Sequence, residues 1–221
     1  MNEPQQFDIE KIREPRSSSL DGGVQPSSED TDLLNQFESC LNSYDDVLAL
    51  QSRFVDTPSE RKGVALSDGI ISRLGHAAVI QAYTQRRVVE SEGEDGGIPF
   101  SRYVKWFLPN QPKPLPWCAF FVSWCLDTSA EGRRNRRVPW TNPGYVGSVY
   151  EWARTNKRLV VKPAHGDLFG FGDDHIGLVV GSNHKSGIFF TIEGNWSDRV
   201  YQRSVRINQG GVWFARVFSD R

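Results

Sequence analysis

Over the first two thirds of the chain apolar residues recur every three or four positions, and after Trp152 they alternate with polar ones. Leu33, Leu34, Phe37, Leu41, Tyr44 and Leu48 follow the first rule and predict an amphipathic helix capped by Asp30 or Thr31. A second helix is expected over residues 67–89, with Ile70, Ile71, Leu74, Ala78 and residues 80–82 turned inward. Another starts at Cys118, after Pro109, Pro112, Pro114 and Pro116 have fixed the approach of the chain. In the alternating region, residues 167–171, 175–180, 188–193, 200–205 and 212–217 read as five short strands divided by Gly, Asn, Asp and Ser. Loops this short join antiparallel neighbours, so helices followed by a meander predict an α+β fold.

The same patterning divides the chain. Residues 1–30 are rich in Pro, Ser, Gly, Asp and Glu, and read as a mobile tail that buries too little apolar surface to offset its ordering entropy. Residues 31–66 hold the amphipathic helix and a linker around residues 57–63, and residues 67–221 form the main domain. The apolar stripe of residues 31–54 needs a partner, either that domain or a delivery or immunity protein.

The strand pattern makes one histidine different from the other three. A hairpin centred on residue 184 sets His175 opposite Glu193, with Asn195 diagonal to it on the same face. Ile176, Leu178, Val180, Ile188, Phe190 and Ile192 then form an apolar opposite face. An imidazole base needs such a carboxylate, because one ring nitrogen must be held for the other to take a proton. His76 within a helix, His184 at a hairpin tip and His165 before a strand lack that company.

Cys118 stands where a proline-rich loop becomes an apolar helix. A thiol in the first turn meets the positive end of the helix dipole and unpaired N–H groups, both of which favour a thiolate. Cys125 lies seven residues on, about 10 Å along the helix, too far for a disulfide and read as core. Neither this spacing nor Cys40, alone on the N-terminal helix, resembles the close ligand pairs of a zinc site, so no metal is expected.

Composition narrows the function. The 221 residues carry a net charge of −1, without the basic field that nucleic acid or anionic membrane binding uses. No segment approaches the ~20 apolar residues of a membrane span. Residues 1–8 lack the basic start and apolar stretch of a secretory signal, so synthesis in the cytoplasm with reduced thiols is expected. The basic run over residues 131–137, beside Trp140 and Tyr145, is either a solvated loop or a contact for anionic polymer.

Taken together, Pro116-Trp117-Cys118-Ala119-Phe120-Phe121-Val122, Gly166-Asp167-Leu168-Phe169, His175-Ile176-Gly177-Leu178-Val179 and Ile192-Glu193-Gly194-Asn195 resemble the CHAP family, the cysteine, histidine-dependent amidohydrolases/peptidases. The likeness spans roughly residues 70–218. It implies a papain-like α+β fold, with the nucleophile helix packed on a five-stranded antiparallel sheet, and cleavage of an amide bond in peptidoglycan without a cofactor. Carried over, Cys118 is the nucleophile, His175 the general base, Glu193 its orienting partner and Asn195 a further polar group. Trp117, Trp196 and Tyr145 are candidates for substrate contact. Many family members place a polar residue before the cysteine to assist the oxyanion, whereas this chain has Trp117. Without a signal, a wall enzyme would need delivery to the periplasm or cell wall, as a phage endolysin or antibacterial effector. The alternatives are a cytoplasmic amidase on a peptide conjugate such as glutathionylspermidine, and a non-catalytic binding module.

Overall fold

Ser27, and neither Asp30 nor Thr31, caps the first helix. In the computed structural model, which describes residues 23–52, 73–91, 95–129 and 138–217, α1 (Ser28–Cys40) opens with a capping box. The Ser27 hydroxyl accepts from the Asp30 amide, and the Asp30 carboxylate accepts from the Ser27 amide. Asp30 is itself buried, taking further hydrogen bonds from Asn183 and Ser186, so it ties α1 to a hairpin far along the chain. The helix stops at Leu41 and a separate α2 (Tyr44–Ser52) follows. Leu33, Phe37 and Leu41 are buried, and Phe37 lies on Gly181, where a Cβ would come within 2.3 Å of its ring. The apolar stripe therefore packs on the chain's own sheet. Upstream, Val24 donates to Ser204 and Gly23 bridges Val205, so these residues of the expected tail add to the sheet edge. Residues 1–22, 57–63, 67–72 and 131–137, for which a tail, a linker, a helix start and a basic loop were expected, lie outside the described residues.

The helix expected over residues 67–89 is α3, which among the described residues covers Arg73–Thr84. Then α4 (Gly97–Pro99) passes through a π-turn (Phe100–Val104) into α5 (Lys105–Phe107). Next come α6 (Cys118–Ser129) and α7 (Val146–Thr155). Every residue of α6 from Cys118 to Leu126 is buried, as expected of a helix apolar all round. It packs against α3 on one side and the central strands of the sheet on the other.

The sheet has six antiparallel strands where five were expected: β1 (Leu159–Val160), β2 (Leu168–Phe171), β3 (His175–Asn183), β4 (Ile188–Trp196), β5 (Arg199–Arg206) and β6 (Val212–Ala215). Two residues of β1 are too few to show alternation. The order β1-β6-β2-β3-β4-β5 departs from a meander, because β6 pairs with β2 and not with β5. Coiling of the sheet makes this possible. Phe169, Val179, Phe189, Val205 and Phe214, one from each of β2 to β6, form their own cluster. Phe189 and Phe214 lie 4.9 Å apart although their strands are three places apart, which in a flat sheet is about 14 Å.

The β3–β4 register also differs from expectation. Gly177, and not His175, stands opposite Glu193, and a bulge at Val180 shifts the pairing to Gly181 with Phe190. The strands run on to Asn183 and from Ile188, so the turn is tighter than the glycines at 181 and 187 suggested. Up to Val179 the displacement is two residues, which keeps the faces because side chains alternate, and beyond it Val180 is the extra residue of the bulge. Ile176, Leu178, Val180, Ile188, Phe190 and Ile192 do join the core shared with the helices.

Candidate active site

Cys118 is the first residue of α6 and is 3% exposed. The Trp117 carbonyl accepts the Phe121 amide at 2.8 Å, which starts the helix and leaves the Cys118 N–H without an intrahelical acceptor. Trp117 is fully buried, stacked on Tyr103, and its indole donates to Glu90 at 2.6 Å. It is thus placed in the core, with its only side-chain donor committed away from an oxyanion. Gly194 lets β4 approach this helix end, since a Cβ there would stand 2.5 Å from that of Phe121.

His175, the first residue of β3, is wholly buried. Its Nε2 lies 2.7 Å from Glu193 Oε2. Gly177 makes this diagonal contact possible, because a Cβ at 177 would lie 2.8 Å from the Glu193 Cγ that leans across it and 2.5 Å from Phe169. The other ring nitrogen, Nδ1, makes no hydrogen bond, alone among the buried side-chain nitrogens and oxygens of the described residues. Cys118 lies near enough to the ring to act on it. Burial lowers the pKa of His175, but the contacts and charges of Cys118 and Glu193 outweigh it and raise the pKa to about 9. For Glu193 burial works upward and is outweighed by His175 and Arg203, which hold the carboxyl below its ordinary value. Glu193 Oε1 accepts from the Thr191 hydroxyl and from Arg203 Nε.

Asn195 is brought near but bonded elsewhere: its amide donates to Asp95 at 2.9 Å, from a left-handed backbone position at φ 59° that asparagine tolerates. Trp196, half-buried, stands edge-on to His175 at 5.3 Å. Tyr145 reaches Asp173, in the turn that leads into His175, at 3.5 Å.

The remaining histidines are engaged apart from the thiol. His165 Nδ1 faces the Val180 carbonyl, which can only accept, so the His165 Nε2 accepts from His76 Nδ1 at 3.0 Å. Burial first, and the neighbouring His76, hold the pKa of His165 down at about 3 despite the Val180 bond, so it is neutral. His184 is bound to Ser182 and Pro163. Burial pushes the thiols of Cys125 and Cys40 up. Among the described residues, no group of three or more His, Cys, Asp or Glu is placed to hold a metal ion, and no helix is long and apolar enough to cross a membrane.

Sequence reasoning missed Arg203 and Glu90, and set Thr191 on the polar face without giving it a role. Thr191 shares the parity of Glu193 and was legible as a facing residue. Arg203 required the β4–β5 register, which turns on Ser197-Asp198 with both φ positive and on an irregularity between Glu193 and Trp196. Ser-Asp is a weak signal for so tight a hairpin.

The Gly177 contact gives a direct check. Gly177→Ala should push Glu193 off His175, so the His175 midpoint, followed by ring-nitrogen NMR, is expected to fall from about 9 toward its ordinary value of about 6.5. A midpoint unchanged in the folded variant would mean that Glu193 does not need the space.

The fold and site thus define an α+β protein in which a thiol at the start of a helix and a buried carboxylate both act on an imidazole at the start of a strand. No protein-family model, curated protein or solved structure matches the chain.

Proposed function

We propose that this protein is a cysteine amidohydrolase/peptidase of CHAP type, with a papain-like arrangement of nucleophile helix and sheet, that cleaves an amide bond in peptidoglycan. The observation that carries the reading is His175, held at Nε2 by Glu193, without a hydrogen bond at Nδ1, and raised in pKa by the Cys118 thiol as well as by Glu193. The wall substrate rests on the family resemblance of the motifs around Cys118, His175 and Glu193.

In the proposed reaction Cys118 attacks the carbonyl carbon as thiolate, a C–S bond forms, and the oxygen becomes an oxyanion facing the Cys118 N–H. Collapse of this intermediate breaks the C–N bond, and the proton on His175 Nδ1 passes to the leaving amine. Water then gives its proton to Nδ1 and hydrolyses the thioester, which restores the thiol pair. Glu193 balances the imidazolium in both halves. Asn195, through Asp95, fixes the wall of the site and does not touch the base.

A wall substrate would set the action in the periplasm or cell wall. Digestion of purified sacculi followed by mass spectrometry of the muropeptides tests the reading. Products cut at one amide, within the stem or between sugar and stem, are expected. Inert sacculi with turnover of a soluble peptide conjugate would replace the wall substrate, and inertness toward both would leave a binding module.

A further inference from the structure

Glu193 has more partners than the orientation of one imidazole requires. Its side chain is fully buried, with Oε2 on His175 and Oε1 on both Thr191 and Arg203, the last at 2.7 Å. Arg203 reaches it because β5 pairs Arg203 with Thr191 and Tyr201 with Glu193, which sets Arg203 diagonal to the carboxylate on one face. The Arg203 side chain is 7% exposed. Its guanidinium lies 3.6 Å over the Trp196 ring, and that ring also stands against His175. The groups facing Glu193 are thus His175 from β3 and Arg203 from β5, with Tyr201 opposite on the ladder and Cys118 of α6 beyond the imidazole.

We propose that Arg203 is a positioning residue of the site: it fixes Glu193 as a carboxylate, so that His175 must donate through Nε2 and present Nδ1 to Cys118. The proposal rests on the cysteine-hydrolase reading. A buried acid beside an imidazole, with no other partner, can keep the shared proton itself. It would then donate to Nε2, and the ring's own proton would sit on Nδ1, facing the thiol in the wrong tautomer. A second cation removes that state, because an opposite charge at this distance lowers a carboxyl pKa by about 1–3 units. Arginine suits the task, since it stays charged when buried and its flat guanidinium stacks on Trp196. Lysine would keep the charge and lose the stacked geometry.

The test uses the full chain with Cys40→Ser as background. The Glu193 carboxyl carbon is titrated by NMR in the parent, Arg203→Lys and Arg203→Gln proteins. Alkylation of Cys118 by iodoacetamide is followed over the same pH range by peptide mass spectrometry. Arg203→Gln is expected to raise the Glu193 midpoint by about one unit or more, and to carry the acid limb of alkylation with it, about tenfold slower below that limb. Arg203→Lys should shift both less, and carries the test if Arg203→Gln does not fold. A Glu193 midpoint that stays put, or that moves while the alkylation limb does not, overturns the proposal. If Cys118 of the parent alkylates no faster than a free thiol, the hydrolase reading fails. Arg203 is then judged on the Glu193 midpoint and the His175 ring-nitrogen shifts.

Discussion

Cys118→Ala is expected to abolish the proposed amide cleavage, and Cys118→Ser to lower it on the order of 10⁴-fold or more, as when the nucleophile of a concerted set is removed. Both changes are small in volume at a buried helix start, so the fold should persist and thermal unfolding should stay close to that of the parent. The comparison is made on the muropeptide assay with all three thiols counted. Cys125→Ala is the control, because it removes an equally buried sulfur on the same helix that has no base beside it. Full turnover by Cys118→Ala would end the assignment whatever the state of His175.

The second large effect is on the alkaline side of the pH profile. His175 is raised to about 9 from an ordinary value of about 6.5. A raised folded-state pKa stabilises the fold fully below about pH 6.5, and that contribution is lost as pH rises through about 9. In the proposed reaction the proton needed by the leaving amine disappears over the same upper limb. We therefore expect kcat/KM to fall about tenfold per unit above pH 9, and the unfolding temperature to decline between pH 6.5 and 9. His175→Ala should remove the alkaline decline in stability and nearly all activity. An unchanged pH–stability profile in that variant would locate the titration elsewhere. Asn195→Ala should be milder, since Asn195 bonds Asp95 and leaves the imidazole to Glu193.

Much of this site is legible in the chain because strand parity survives errors of register. The expected pairing of His175 with Glu193 was displaced by two residues, yet both still share a face and meet through the gap at Gly177. The assignment of Ile176, Leu178 and Phe190 to the helix-packed core holds for the same reason. What local pattern misses is long-range closure. Nothing near Val212 indicates that β6 will pair with β2, because that choice follows from coiling around Phe169, Phe189 and Phe214. Nor does alternation reveal a two-residue strand, or that Ser27 would cap α1 three residues early, which depends on Asp30 meeting Asn183 and Ser186.

The run Glu193-Gly194-Asn195 sends three successive residues to three different parts of the molecule: Glu193 to the base, Gly194 to the start of α6, and Asn195 to the loop at Asp95. Chain length is therefore a functional quantity here. An insertion in the turn at residues 184–187 leaves each residue of this run on its face, whereas one residue added between Glu193 and Asn195 would exchange the faces beyond it.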